Sequence, residues 1–166
     1  MKKIILIFIL CLVILTGCRT NTQPEKTDNI QTQTETKTFR IGDSVQLGDY
    51  ILTVHGIEDN VSYDPNDYNK PKDGYKYFAV EVSVENKGSE VNPYNLYDFT
   101  LQDKNGYTYD IAIWVIKEPS FSSGDLQPGR KIRGWLTYEV SKTAENLELI
   151  YQPDWFDSGQ VIVKLY

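Results

Sequence analysis

Residues 75–85 read YKYFAVEVSVE. Phe78, Val80, Val82 and Val84 fall on one side of an extended chain. Tyr77, Ala79, Glu81, Ser83 and Glu85 fall on the other. Successive strand side chains point to opposite faces, so this alternation predicts a half-buried β-strand with one dry and one wet face. Asn86-Lys87-Gly88-Ser89 ends it with turn residues.

The same pattern extends outward from this strand. Residues 49–57 place Leu52 and Val54 together, and residues 98–102 place Phe99 and Leu101 together. Asp103-Lys104-Asn105-Gly106 is a turn, because Asn-Gly favours positive φ. Residues 107–116 read as a further strand, with Tyr109, Ile111, Ile113 and Val115 on one side. After a turn at 125–129, residues 131–140 point Ile132, Leu136, Tyr138 and Val140 inward. Residues 146–152 and 160–166 close the chain as strands. Residues 141–146 offer one helical turn at most. Seven to eight short strands with frequent turn signals predict an all-β, antiparallel sandwich or barrel over residues 39–166. Charged residues alternate with Ile and Val, so one face of each sheet is expected to be wet.

The N-terminus has a different character. Met1-Lys2-Lys3 is followed by twelve apolar residues, 4–15. A basic start, a short apolar run and small residues before a boundary form a signal peptide, here residues 1–17. A twelve-residue helix spans about 18 Å, short of a hydrocarbon core of about 30 Å. Leu15-Thr16-Gly17-Cys18 resembles the lipobox of bacterial lipoproteins. That resemblance implies a diacylglyceryl group on the Cys18 thiol, cleavage before Cys18, and anchoring on the extracytoplasmic face of the cell membrane. Two acyl chains on one residue supply the two anchors that stable attachment needs. The only other cysteine, Cys11, lies inside the apolar run, so no disulfide is expected in the folded part.

On that resemblance, residues 18–38 are expected to be a lipidated N-terminus and a Thr-rich linker. From Arg19 to Thr38 it carries seven threonines, and Ile30 is the one large apolar residue. Such a segment cannot bury enough apolar surface to offset its ordering entropy, so a disordered tether is expected.

Several phrases of the strand region resemble a domain family of small Gram-positive lipoproteins labelled DUF4352. They are residues 50–54 (YILTV), 74–82 (GYKYFAVEV), 84–88 (VENKG), 99–107 (FTLQDKNGY), 126–129 (LQPG) and 134–140 (GWLTYEV). The resemblance implies an immunoglobulin-like sandwich, also seen in a secreted mycobacterial antigen family. It implies no activity and no catalytic residues.

Charge and motif content narrow the function. The formal net charge is −6, and loss of Lys2 and Lys3 with the leader takes the mature chain near −8. That balance repels nucleic-acid phosphates and anionic headgroups. His55 is the only histidine and reads as a packed or surface residue rather than a catalytic base. No Ser-x-x-Lys, Gly-x-Ser-x-Gly or His-Glu-x-x-His motif occurs. No enzyme and no cofactor beyond the lipid are expected. The acidic stretch around residues 58–73 offers oxygen ligands of the kind calcium takes, namely Asp59, Asp64, Asn66, Asp67 and Asp73. It lacks the order and glycine of an EF-hand, and reads primarily as a solvated loop. Tyr63, Tyr68, Tyr94, Tyr97, Trp114 and Trp155 are candidate exposed aromatics for recognition. The expected role is a non-enzymatic binding or interaction module for an envelope protein, glycan or small ligand. The alternatives are a cell-wall carbohydrate-binding module and, behind it, a small hydrolase with two facing carboxylates.

Overall fold

The strand that decides the fold, β4 (Tyr75–Asn86), is an inner strand paired on both edges. A computed structural model describes residues 37–64, 68–112, 114, 117–153 and 159–166. The chain divides between Thr34 and Glu35, and all described residues lie in the second unit.

On one side β4 pairs antiparallel with β3 (Tyr50–Asp59), on the other with β9 (Lys131–Ser141). The β4–β9 ladder runs without a break from Tyr75↔Ser141 to Glu85↔Lys131. β2 (Ser44–Leu47) adds to β3 and completes a four-stranded sheet, β2-β3-β4-β9. The second sheet has five strands in the order β1-β11-β10-β6-β7. These are β1 (Thr38–Arg40), β6 (Phe99–Gln102), β7 (Thr108–Tyr109), β10 (Glu148–Tyr151) and β11 (Val161–Lys164). A small third pair joins β5 (Asn92–Tyr94) to β8 (Gly124–Leu126). One 3-10 turn, Leu96–Asp98, precedes β6 and is capped by Asn95.

The core is the apolar side of β4. Phe78, Val80, Val82 and Val84 are all fully buried. They share one cluster with Leu52, Val54, Leu136 and Tyr138 of their own sheet and Leu101, Leu149 and Val163 of the other. Full burial contributes about 1.5–3 kcal/mol for each such side chain, so this face holds the two sheets together. The expected all-β sandwich is therefore present.

Five details differ from the sequence expectation. The described residues hold eleven strands rather than seven or eight, because short edge pieces such as β2, β5 and β8 carry too few residues for a readable alternation. Thr38, expected as the last residue of the tether, opens β1 and pairs in parallel with Ile162 of β11. β3 runs two residues further, through Glu58 and Asp59, because a bulge between Val54 and Gly56 shifts its register. An extra residue at a bulge reverses side-chain parity, so Leu52 and Val54 point inward before it and Ile57 after it.

The largest difference concerns the strand expected over residues 107–116. Only Thr108–Tyr109 stays in the second sheet. The chain then crosses to the free edge of β9. Ile111 bridges Tyr138, and the Ala112 N–H donates to the Thr137 carbonyl at 2.7 Å. Further on, Ser120 bridges Trp135, whose N–H donates to the Pro119 carbonyl at 2.8 Å. Unpaired edge groups need partners, and this strap supplies them. Ile113, Val115 and Ile116 lie outside the described residues.

The strap also corrects the wet face of β4. Tyr77, Ala79 and Ser83 are buried although they point away from the core. Val61, Ala112 and Trp135 pack around Tyr77 and Ala79 as a second apolar cluster. The ring of His55 covers Ser83, with Nε2 and Oγ 2.9 Å apart.

Candidate functional site

Along the side where β7 comes beside β9, the structure opens a groove of about 590 Å³. That volume suits a small ligand or the end of a longer one. Its walls come from the start of β4, the end of β9, the β6–β7 turn and the beginning of the strap. Tyr75, Tyr77, Tyr107, Tyr109 and Trp114 are its aromatic side chains. Tyr107 and Trp114 are largely solvent-exposed, whereas Tyr77 and Tyr109 are buried at its base.

The β6–β7 turn aims two of these rings. Asp103 is buried, and its Oδ1 accepts the N–H groups of Asn105 at 2.9 Å and Tyr107 at 3.0 Å. Its Oδ2 accepts the Tyr109 hydroxyl at 3.0 Å. Gly106 takes φ +84°, the left-handed conformation that the Asn-Gly pair announced. Burial works against the charge on Asp103, but the hydrogen bonds from Tyr107, Asn105 and Tyr109 outweigh it and hold the carboxyl below its ordinary value. Burial first, and the hydrogen bond to the Asp103 carboxylate second, push the Tyr109 phenol up to about 12. The turn is thus a fixed, charged staple under the exposed ring of Tyr107.

Across the groove, Glu139 of β9 holds the loop before β4. Its Oε1 accepts the backbone N–H of Lys72 at 2.8 Å, and its Oε2 lies 3.9 Å from the Lys72 ammonium. The same ammonium stands 5.5 Å from the centre of the Tyr75 ring, within cation–π range. Asp110, at the mouth, is exposed and pairs with none of the described residues.

The candidates read from the sequence scatter around this site. Trp114 lines the groove. Tyr97 is exposed and lines a smaller cavity of about 120 Å³ that shares Ile111, Ala112 and Trp114 with it. Tyr68 is fully exposed, and Tyr63 is partly exposed and meets the Tyr77 ring edge-on at 5.9 Å. Tyr94 is half-buried in β5 and packs against Phe121. Trp155 lies outside the described residues, as do Cys18 and residues 19–36 of the tether. Sequence reasoning missed Tyr75, Tyr77, Tyr107 and Tyr109 as site residues. The available signal was the repeated Tyr-x-Tyr, in YKY at 75–77 and YTY at 107–109, whose spacing of two sends both rings to the same side of an extended chain.

The described calcium candidates, Asp59, Asp64 and Asp73, form no metal-holding group. Asp59 ends β3 and pairs with Lys76 at 2.5 Å. Asp64 and Asp73 are exposed, and Asn66 and Asp67 lie outside the described residues. Among the described residues no group of three His, Cys, Asp or Glu side chains is placed to hold a metal ion. His55 sits on the outer face of β3, away from the groove. Its loss of solvent, and then the nearby Arg133 charge, lower its pKa and favour the neutral ring.

No helix among the described residues is long and apolar enough to cross a membrane. Comparison with known proteins follows the architecture. A curated relative, the uncharacterized lipoprotein YjhA of Bacillus subtilis, is 28% identical over 140 residues, which span 78% of this chain. The match spans 65% of that relative's length. The crystal structure of the yjhA protein superposes with a TM-score of 0.61 at 22% identity, covering 77% of this chain and 99% of that one. The secreted protein MPT63 of Mycobacterium tuberculosis gives a TM-score of 0.58 at 12% identity, covering 79% and 98%. At such identities these structures speak for the fold alone. The family model described as "Domain of unknown function (DUF4352)" matches residues 39–161, nearly the whole of the sandwich, and the chain belongs to that family.

Proposed function

We propose that this protein is a lipid-anchored, extracytoplasmic binding module that takes its ligand in the tyrosine- and tryptophan-lined groove. The observation that carries this reading is the groove itself: exposed Tyr107 and Trp114 above a base fixed by Asp103 and Glu139. Rigid aromatic side chains on a preorganised frame offer contact area at low entropy cost. In this reading Cys18 carries the diacylglyceryl group, and the Thr-rich linker sets the sandwich off the membrane. The lipoprotein relative and the lipobox residues support that arrangement. The module needs no cofactor beyond the lipid. An acidic mature chain argues against nucleic acid as the partner.

A non-enzymatic role fits the groove better than hydrolysis. Glycoside hydrolysis needs a carboxylic acid with a raised pKa, and Asp103 is shifted in the opposite direction. Glu139 is committed to the Lys72 loop. A cell-wall carbohydrate-binding module is the second reading. The exposed rings of Tyr107 and Trp114 beside Asp110 and Asn105 favour it.

The test has two arms. Tryptophan fluorescence of the full chain in detergent is titrated with soluble wall glycans and with low-molecular-weight envelope extract. A saturable change is expected, and it should be lost in Tyr107→Ala, which keeps every tryptophan reporter. No saturable change in any fraction, or an equal change in Tyr107→Ala, would remove the groove from consideration. Membrane fractionation with intact mass is the second arm. Lipid mass on Cys18, with Cys18→Ala released from the membrane, is expected. An unmodified Cys18 would end the anchor reading.

A further inference from the structure

The lining of the groove is unbalanced in charge. Asp103, Asp110 and Glu139 contribute carboxylates, and Lys72 contributes the one ammonium. An anionic ligand would meet three like charges there. A neutral one would gain hydrogen bonds from them but leave their charge unmatched. A cation would complement them.

Lys72 shows where such a cation would sit. Its ammonium is near both the Glu139 carboxylate and the Tyr75 ring, at 3.9 Å and 5.5 Å, yet its side chain is 76% exposed. A carboxylate beside an aromatic face is the pairing that recognises ammonium groups. An exposed ion pair of this kind is weak, so the lysine side chain can leave. Glu139 would keep its place when that happens, because its Oε1 is bound to the backbone N–H of Lys72 and not to the side chain. The seat is therefore preorganised independently of the group that fills it.

We propose that the groove takes a ligand carrying a primary or quaternary ammonium group, and that the Lys72 ammonium is the internal occupant that this ligand displaces. The inference rests on the groove being a binding site. Asp110 supplies a second carboxylate at the mouth, and Tyr107 and Trp114 supply further ring faces for the rest of the ligand.

Isothermal titration of the full chain in detergent tests it, with spermidine and choline as probes. A neutral N-acetylglucosamine oligomer and inorganic phosphate serve as comparators. Saturable binding of at least one ammonium probe is expected, with none of phosphate. Lys72→Ala should tighten it threefold or more, and Glu139→Gln should weaken it threefold or more. A gain in affinity cannot come from misfolding, so Lys72→Ala is the deciding variant. Lys131→Ala, outside the groove, makes the same change in net charge and should leave binding within twofold. Equal tightening by Lys131→Ala would reduce the effect to bulk charge and overturn the proposal. So would an unchanged or weaker Lys72→Ala, or the absence of amine binding. If the neutral oligomer binds and loses affinity in Tyr107→Ala/Trp114→Ala while amines do not bind, the groove survives as a site and the ammonium class falls. If no probe binds, both fall.

Discussion

The two edges of β9 are paired in opposite styles. Toward β4 it makes an unbroken antiparallel ladder from Lys131 to Ser141. Toward the strap it makes two isolated bridges, at Tyr138 and Trp135, of opposite sense. The first edge joins two strands whose residues alternate in hydrophobicity, so a one-residue slip would turn Phe78 and Val80 out of the core. The second edge carries no such penalty. Its partner needs only to satisfy a few backbone groups and to fill space over Tyr77 and Ala79. Regularity here marks where register is enforced, and irregularity marks where the chain is free to build a groove.

Three measurements sharpen or break this contrast. Phe78→Ala, on the ladder side, removes a fully buried ring shared by both sheets. It should lower unfolding stability by about 3–5 kcal/mol, read as a fall in the urea midpoint. A loss comparable to a surface substitution would mean that this ladder does not hold the sandwich.

Gly134→Ala probes the strap side. A Cβ there would stand 2.6 Å from the Phe121 nitrogen and 2.8 Å from the Ser120 carbonyl carbon. Both are backbone atoms, so the strap must move. A loss of about 1–3 kcal/mol is expected, together with a change in tryptophan fluorescence from Trp135. Unchanged fluorescence and midpoint would show that the strap does not lie against β9 as described.

The smallest effect is tied to pH. The folded-state pKa of Asp103 is depressed, so its contribution is present above the unfolded-state value of about 3.9 and is lost as pH falls through the lower folded value. Asp103→Asn should therefore be less stable than wild type at pH 7, and the gap should close below about pH 3.9. A gap that stays constant down to acid pH would place the cause in the lost hydrogen-bond geometry and not in the charge.

What could be read from residue order is the part that depends on local alternation and turn chemistry. The inward set of β4, the inward residues of β9 and the Asn105-Gly106 turn follow from periodicity and φ preference. So did the family, because its phrases lie on those same strands. The covered outer face was not readable, because nothing within β4 announces that Val61 and Ala112 will cover Tyr77 and Ala79. The strap was misread for a physical reason. Tyr109 and Ile111 alternate as a strand should, but Ile111 meets a different sheet from Tyr109.

The groove belongs to the same category. Two Tyr-x-Tyr repeats are visible in the chain, yet their convergence depends on the β7 edge of one sheet coming beside the β9 edge of the other. Glu139 and Lys72 are 67 positions apart, and Asp103 meets Tyr109 only because the turn closes on it. Alternation is a property of neighbours along the chain, so residue order suffices for the long central strands. A site is a property of neighbours in space, and here it forms where two sheet edges and a crossing segment meet.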